Sequence, residues 1–250
     1  MKRNFKATEG TEQKEVFVSL KLGMPVTKVY TGKGQLSALE DFPTELAGSI
    51  LVPYLGARCI FRLLGTSHPM RTIMIATVTR LGMRYLHYTP GRLRSLRQLP
   101  LEHLDLRGCN VTDAELVHLH ALPLQHLSLG WDTVSDEGLA HLRQLPLQHL
   151  QLNGCYKITD AGLWHLRDLP LKHLDLTWCS NITDAGLVNL LQLPLQHLVL
   201  NGCNNITDEG LIHLRQLPLQ HLGLSWCYNI THAGVMHLQQ PPLQHLNLLP

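Results

Sequence analysis

The chain has 250 residues, of which 44% are hydrophobic and 16% charged, a composition typical of a globular protein with a sizeable core. Its net charge of +2 hides an asymmetry, since residues 1–99 carry 15 Lys and Arg against 6 Asp and Glu, whereas residues 100–250 carry 6 against 13. The basic residues are dispersed without interleaved aromatic residues, and no apolar run approaches the roughly 18 residues of a membrane span. We therefore expect neither nucleic acid nor a membrane as a partner.

The first 83 residues divide into two segments by composition. Residues 1–40 are polar and rich in Gly, Thr and Lys, and we expect them to form a flexible N-terminal segment. Residues 41–83 carry apolar residues at helical spacing, beginning with Leu46 and Ile50, and predict three short helices that continue to Met83. Because so small a bundle buries little apolar surface by itself, this segment needs a neighbour.

Part of this helical segment resembles an F-box. Residues 42–74 read FPTELAGSILVPYLGARCIFRLLGTSHPMRTIM. The positions that match the F-box pattern are Pro43, Glu45, Leu46, Ile50, Tyr54, Leu55, Leu63, Ser67, Arg71 and Ile73. In that family the F-box docks on the Skp-type adaptor of a cullin-based ubiquitin ligase. The adaptor-binding residues that the resemblance implies are Pro43, Leu46, Ile50, Tyr54 and Leu55.

From about residue 100 onwards the chain repeats one phrase. Copies of 24 residues begin at Pro146, Pro170, Pro194 and Pro218, shorter copies begin at Pro100 and Pro123, and a half-copy begins at Pro242. The internal spacing L-x-x-L-x-L-x-x-C is typical of leucine-rich repeats. We therefore expect residues 84–250 to form an α/β solenoid, with short parallel strands on its concave face and helices on its convex face.

The copy that begins at Pro146 shows how the phrase predicts this structure. Leu150 and Leu152 alternate with polar residues as a short strand with one buried face. Thr159 suits a helix N-cap, and the helix dipole favours Asp160 beside it. Pro170 ends the helix and begins the next copy. The equivalent carboxylates are Asp113, Asp136, Asp160, Asp184 and Asp208, all assigned to capping, and His232 takes this position in the last full copy.

Five of the six cysteines occupy one position of the repeat. They are Cys109, Cys155, Cys179, Cys203 and Cys227. Their shared inward orientation predicts a ladder of buried, reduced thiols. Together with an N-terminus that lacks an apolar signal segment, this pattern favours a cytoplasmic location.

The outward positions of the strands form columns on the predicted concave face. The longest is the histidine column, made of His103, His126, His149, His173, His197, His221 and His245. It is interpreted either as a metal-binding or proton-responsive ladder, or as a residue copied along with the module without a function of its own. Because no carboxylate or cysteine shares the column, the second interpretation is favoured. No cofactor and no metal site are expected.

A second column alternates between glycine and tryptophan just before the cysteine position. It consists of Gly108, Trp131, Gly154, Trp178, Gly202 and Trp226. The tryptophans either form a binding ridge or cover the glycine of the adjacent repeat. The partner-binding residues predicted on the concave face are His149, Gln151, His173, Asp175, His197, Trp131, Trp178 and Trp226.

No singular catalytic constellation interrupts the repeats, so the sequence predicts a binding protein instead of an enzyme. An F-box before cysteine-containing repeats resembles the F-box/leucine-rich-repeat receptors, in which the repeats hold the protein to be ubiquitinated. The near-identical copies also resemble repeat proteins of intracellular bacteria, some of which act as effectors in the host cytosol. The alternative is a plain interaction scaffold in which residues 41–83 only cap the first repeat.

Overall fold

The computed structural model describes two strands near the N-terminus and residues 78–83, 91–130, 134–238 and 243–248. Strands β1 (Lys14–Val18) and β2 (Thr27–Thr31) pair in the antiparallel direction within the segment that the sequence predicts to be flexible. The chain divides into two units, the first comprising residues 1–79 and 98–100 and the second the remainder. Each unit is described by itself below.

The second unit is built from strands that alternate with short helices. The strands are β3 (Arg80–Gly82), β4 (His103–Asp105), β5 (His126–Gly130), β6 (His149–Asn153), β7 (His173–Asp175), β8 (His197–Val199), β9 (His221–Gly223) and β10 (His245–Asn247). The helices are α1 (Arg92–Leu96), α2 (Asp113–Leu116), α3 (Asp136–Ala140), α4 (Asp160–Trp164), α5 (Asp184–Val188), α6 (Asp208–Leu214) and α7 (His232–Met236). A single 3₁₀ turn, Val117–Leu119, continues α2.

The eight strands form one open parallel sheet in the order of the sequence. The predicted leucine-rich-repeat solenoid is therefore present. Its register aligns each repeat with the next, so that His149 pairs with His126 on one side and His173 on the other. The leucines between the outward residues are buried, and Leu150 and Leu174 are fully inaccessible to solvent.

The sheet starts earlier than the sequence analysis places it. Residues Arg80 to Gly82 were expected to belong to a helix that continues to Met83, but they form strand β3, which pairs with β4. The physical reason is the spacing of Leu81 and Met83, which matches that of Leu104 and Leu106 in the next copy and directs both side chains into the core. Residue 84 is therefore not the first of the solenoid.

The cysteines form the predicted buried ladder, and all five described thiols are reduced. The sulfurs of Cys109, Cys179, Cys203 and Cys227 each lie against a carbonyl of the preceding repeat. Cys179 Sγ donates to the carbonyl of Leu152 at 3.1 Å and Cys203 Sγ to that of Leu176 at 3.2 Å. Burial raises the pKa of the Cys179 thiol to about 12, so the sulfur stays protonated and can donate.

The predicted threonine caps are confirmed, and the neighbouring aspartates lie in the first turns of their own helices as expected and also bind the cap of the next helix. Thr183 caps α5 by accepting a hydrogen bond from the amide of Ala185 at 3.3 Å. The carboxylate of Asp160, one repeat earlier, accepts from the Thr183 amide at 2.9 Å and from its hydroxyl at 2.6 Å. Each aspartate therefore holds the cap of the following repeat.

The same aspartates explain a column of glycines in the helices. A Cβ placed on Gly186 would lie 2.9 Å from Cγ of Asp160, a distance that real Cβ atoms essentially never show. Equivalent conflicts exist at Gly138, Gly162, Gly210 and Gly234. The first helix is the exception, because α1 begins with Arg92 instead of Asp. The next helix, α2, then has Glu115 at the position of the glycine. The Glu115 carboxylate accepts hydrogen bonds from the amides of Gly91 and Thr112 at 2.9 and 3.1 Å.

Candidate functional site

The outward face of the eight-stranded sheet, here called the sheet face, carries the candidate site. Along β4, β6 and β7 the buried leucines are flanked by half-exposed polar residues, the pattern expected when one face of a sheet meets solvent. A groove of about 440 Å³ lies on this face. Its lining residues are Arg80, Leu81, Gly82, His103, Leu104, Asp105, His126, Leu127, Ser128, His149, Gln151 and His173.

The histidines of the sheet face form a continuous column of imidazole rings. Neighbouring ring centroids are 3.8 Å apart between His103 and His126 and 4.1 Å apart between His126 and His149, with nearly parallel planes. The separation widens to 5.6 and 5.5 Å on the two sides of His173. It narrows again to 4.2 Å between His197 and His221. The column is therefore two tight stacks of three rings joined through His173.

At β3 the column continues with a cation instead of a ring. The register places Arg80 beside His103, at the position that histidine occupies in every later strand. Arg80 is not among the predicted site residues, because the sequence predicts a helix through residue 83. The pattern that indicates a strand here is the spacing of Leu81 and Met83, which repeats that of the leucines in the later strands.

Burial and mutual repulsion keep five of the imidazoles neutral. Desolvation, followed by the proximity of His149 and His103, lowers the pKa of His126 from 6.5 to about 4. Desolvation also lowers the pKa values of His103, His149, His173 and His221. Nδ1 of His126 is buried without a hydrogen-bond partner among the described residues. At neutral pH these five rings are therefore uncharged.

The polar residues beside the histidines are tied to one another. Asp105 forms an ion pair with Arg107 at 2.7 Å. Asp175 accepts hydrogen bonds from the amide and hydroxyl of Thr177 at 3.0 and 2.6 Å, and Asn153 Nδ2 donates to its other oxygen at 2.8 Å. These contacts hold the carboxylates of the face in fixed positions, and the charge of Asp175 partly opposes the lowering of the His173 pKa.

Gln151, one of the predicted partner-binding residues, is likewise engaged within the sheet face. Its Oε1 accepts a hydrogen bond from the Ser128 hydroxyl at 2.9 Å, which links β6 to β5. The predicted residues His149, Gln151, His173, Asp175 and His197 therefore lie on three neighbouring strands of one surface. The structure brings these five together.

The described tryptophans, Trp178 and Trp226, lie in the turns that follow strands β7 and β9, and Trp178 packs on a glycine. Trp178 and Trp226 have backbone φ angles of 62° and 63°, in the left-handed region that glycine occupies in the alternate repeats. The Trp178 amide donates to the carbonyl of Asn201 at 2.7 Å. Its indole lies directly over Gly202, where an added Cβ would be 2.6 Å from Cζ3.

Packing on Gly202 does not remove the Trp178 indole from solvent. The exposed fraction is 45% for both Trp178 and Trp226. The indole of Trp178 thus covers part of the adjacent repeat, and both indoles offer apolar surface in the turns that follow the strands. The third predicted tryptophan, Trp131, lies outside the described residues.

The remaining predictions for the site concern the adaptor and metals. The predicted adaptor-binding residues Pro43, Leu46, Ile50, Tyr54 and Leu55 all lie outside the described residues. Within the described part of the chain, no group of three or more His, Cys, Asp or Glu side chains is placed to hold a metal ion. No helix among the described residues is long and apolar enough to cross a membrane.

Comparison with known proteins adds two findings. A family model described as Leucine Rich repeat matches residues 99–114, 169–191 and 193–214. No curated protein matches the chain. Among solved structures, the crystal structure of a TLR13-ssRNA13 complex aligns with 70% of this chain and 26% of that chain, at 17% identity and a TM-score of 0.44. The alignment covers about a quarter of that protein's length. The segments that the family model matches are leucine-rich repeats, and the strands of this region form the parallel sheet.

Proposed function

We propose that this chain is a non-enzymatic interaction scaffold whose sheet face binds another protein. The observation that carries the proposal is the sheet face itself. Seven strands in exact repeat register present one polar column of ring edges, which is flanked by hydrogen-bonded Gln, Asn and Asp side chains. An extended surface assembled from identical repeats is the binding surface that solenoid proteins use.

The chemistry of the face suits a polypeptide. Neutral imidazole edges offer both donors and acceptors, which match the amide and carbonyl groups of a peptide backbone. The exposed indoles of Trp178 and Trp226 lie beside the polar column and supply apolar area. Tryptophans at the edge of a polar surface are typical of residues that dominate binding energy.

A photo-crosslinking experiment in an extract of the native cell tests this proposal. A photoreactive residue at Gln151 on the sheet face is compared with one at Ala185, an exposed position on α5. We expect one defined protein to be crosslinked from Gln151 and not from Ala185. Crosslinking that is absent from both positions, or equal from both, would contradict a binding role for the sheet face.

The more specific function is a substrate receptor of a cullin-type ubiquitin ligase, acting in the cytosol. It is supported by the resemblance of residues 42–74 to an F-box and by their place before leucine-rich repeats. In this arrangement the F-box-like segment docks on a Skp-type adaptor, while the sheet face holds the target at high local concentration near the ubiquitin carrier. If the chain is a bacterial effector, that cytosol is the host's.

A pull-down of the full chain with a purified eukaryotic Skp adaptor tests the ligase function. The matched control is the double variant Pro43→Ala, Leu46→Ala, shown by circular dichroism to keep the solenoid folded. We expect adaptor binding by the original chain and none by the variant. If the folded original chain does not bind, the segment serves only as a cap of the repeats and the scaffold function remains.

A further inference from the structure

The stacked geometry of the histidine column limits how a partner can contact it. In the two tight stacks each inner ring has a neighbour on both faces, at 3.8 and 4.1 Å for His126 and at 4.2 and 4.4 Å for His221. Only the ring edges remain open to a partner, and at His126 the Nδ1 atom is buried as well. Aromatic stacking onto the column is therefore blocked along its length, and recognition depends on hydrogen bonds and charge.

Protonation of the whole column would give this surface more positive charges than it has neighbouring carboxylates, since Glu102 acts on His103 and Asp175 on His173. Adjacent rings about 4 Å apart repel when both are charged. The carboxylates that face the column from β4 and β7, Asp105 and Asp175, already bind Arg107 and the Thr177 and Asn153 donors. The other charges that act on the rings are the cations Arg80 and Lys172 and the carboxylate of Glu102 beside the first ring.

We propose that the sheet face binds an acidic protein segment and takes up protons from solution when it does so. This inference rests on the proposed function of the face and adds the chemistry of its partner. Carboxylates of the partner supply the negative charge that the protonated rings lack within the fold. Each proton taken up strengthens binding by about tenfold per pH unit over the range in which the rings titrate.

A nucleic acid is a poorer fit to the same surface. Binding of phosphate backbones relies on clusters of Lys and Arg and on aromatic faces for bases. Here Arg107 is paired with Asp105, and the ring faces are covered by their neighbours. An acidic peptide, in contrast, needs only donors at the ring edges.

Calorimetry of the full chain with a decaglutamate peptide at pH 5.5 and pH 7.5 tests the proposal, since glutamate is ionised at both values. Decalysine, an uncharged Gly-Ser decapeptide and a ten-residue oligothymidylate serve as parallel probes. We expect decaglutamate to bind at least about tenfold more tightly at pH 5.5, consistent with uptake of one proton or more. Titrations in two buffers of different ionisation enthalpy count those protons in the unmodified chain.

The variant His126→Gln, His149→Gln removes two titrating rings from one stack. The matched control is His141→Gln, His213→Gln, which removes two histidines of the helices instead. Because five rings of the column remain, we expect the first variant to have a weaker pH dependence and to take up fewer protons, and the second variant to match the original chain. If the first variant fails to fold, the proton count of the unmodified chain still decides the question.

Absence of binding at pH 5.5, binding without proton uptake, or tighter binding of the oligothymidylate would each overturn the acidic-peptide inference. None of these results bears on the crosslinking experiment. A protein captured from Gln151 would then leave the scaffold function standing with a partner of different chemistry.

Discussion

Substitution of Gly186 by alanine tests whether the aspartates couple neighbouring repeats. Gly186 lies inside α5, where alanine normally favours a helix over glycine by about 0.5–1 kcal/mol. Here the new Cβ would lie 2.9 Å from Cγ of Asp160, so the carboxylate has to leave its position. The other close atom, Cδ1 of Leu163 at 3.2 Å, belongs to the end of a flexible side chain and can move.

The cost follows from the contacts that the displaced carboxylate gives up. Asp160 accepts from the Thr183 amide at 2.9 Å and from the Thr183 hydroxyl at 2.6 Å. Hydrogen bonds to a charged group contribute about 1.5–3 kcal/mol each, and water compensates in part at this half-exposed site. We therefore expect a loss of about 2–4 kcal/mol, reduced by the helix propensity of alanine to a net destabilisation of about 1–3 kcal/mol.

The same substitution should have the opposite sign once the carboxylate is absent. In an Asp160→Ala background nothing rigid occupies the space beside Gly186, and we expect Gly186→Ala to stabilise the chain by about 0.5–1 kcal/mol. Urea unfolding followed by far-UV circular dichroism and tryptophan fluorescence measures all four members of the cycle. Ala185→Gly, at an exposed position of the same helix, measures the propensity effect alone.

The sign reversal is the decisive result. If Gly186→Ala destabilises the chain equally in both backgrounds, the carboxylate is not the cause and the explanation of the glycine column is wrong. The four variants are comparable only where the two probes unfold together, since solenoids lose two-state behaviour when repeats uncouple.

Three further predictions concern the histidines, the thiols and the tryptophan turns. The urea midpoint should fall as the pH is lowered from 6.5 towards 4, because His126 has a pKa of about 4 in the fold and 6.5 as its ordinary value. His126→Gln should reduce this fall, and an equal fall in the variant would contradict the assignment of the effect to the stacked His126. Cys179 and Cys203 should resist iodoacetamide at pH 8 until the chain unfolds, because burial raises their pKa values; mass spectrometry that finds them alkylated in the folded chain would refute this. Gly202→Ala should destabilise the chain by about 1–2 kcal/mol from its φ of 72° alone and shift the emission of Trp178, whereas Gly82→Ala, with open space around it, should be nearly neutral.

Much of the solenoid could be predicted from the sequence because its signals are local and repeated. The alternation of Leu150 and Leu152, the cap at Thr159 and the inward cysteine each depend on a few adjacent residues, and all three are confirmed. The alignment of the histidines follows from exact repetition and is confirmed by the strand register. The identity of the partner-binding residues stays a prediction.

The contacts that could not be predicted from the sequence are those between neighbouring repeats. Asp160 looks like a cap of its own helix when α4 is considered alone, and only the stacking of the next repeat brings Thr183 to its carboxylate. Likewise, nothing in a single strand predicts that the rings beside His173 stand farther apart than the others. For Trp178, the left-handed turn depends on the carbonyl of Asn201 that its amide must reach.

The one repeat that departs from the pattern shows that the contact between the carboxylate and the threonine amide is the one kept in each repeat. In five cases an Asp at the start of one helix is combined with a Gly two positions after the start of the next helix. In the first pair of helices, Arg92 replaces the Asp and Glu115 replaces the Gly. Glu115 then takes over the missing role, because its carboxylate binds the Thr112 amide from within the same helix. A replacement of this kind is expected if each threonine amide requires a carboxylate and each glycine is the consequence of where that carboxylate lies. The stability of helices α3 to α7 therefore depends on the repeat before each of them, which is why a change on the helical side, at Gly186, should be felt across two repeats.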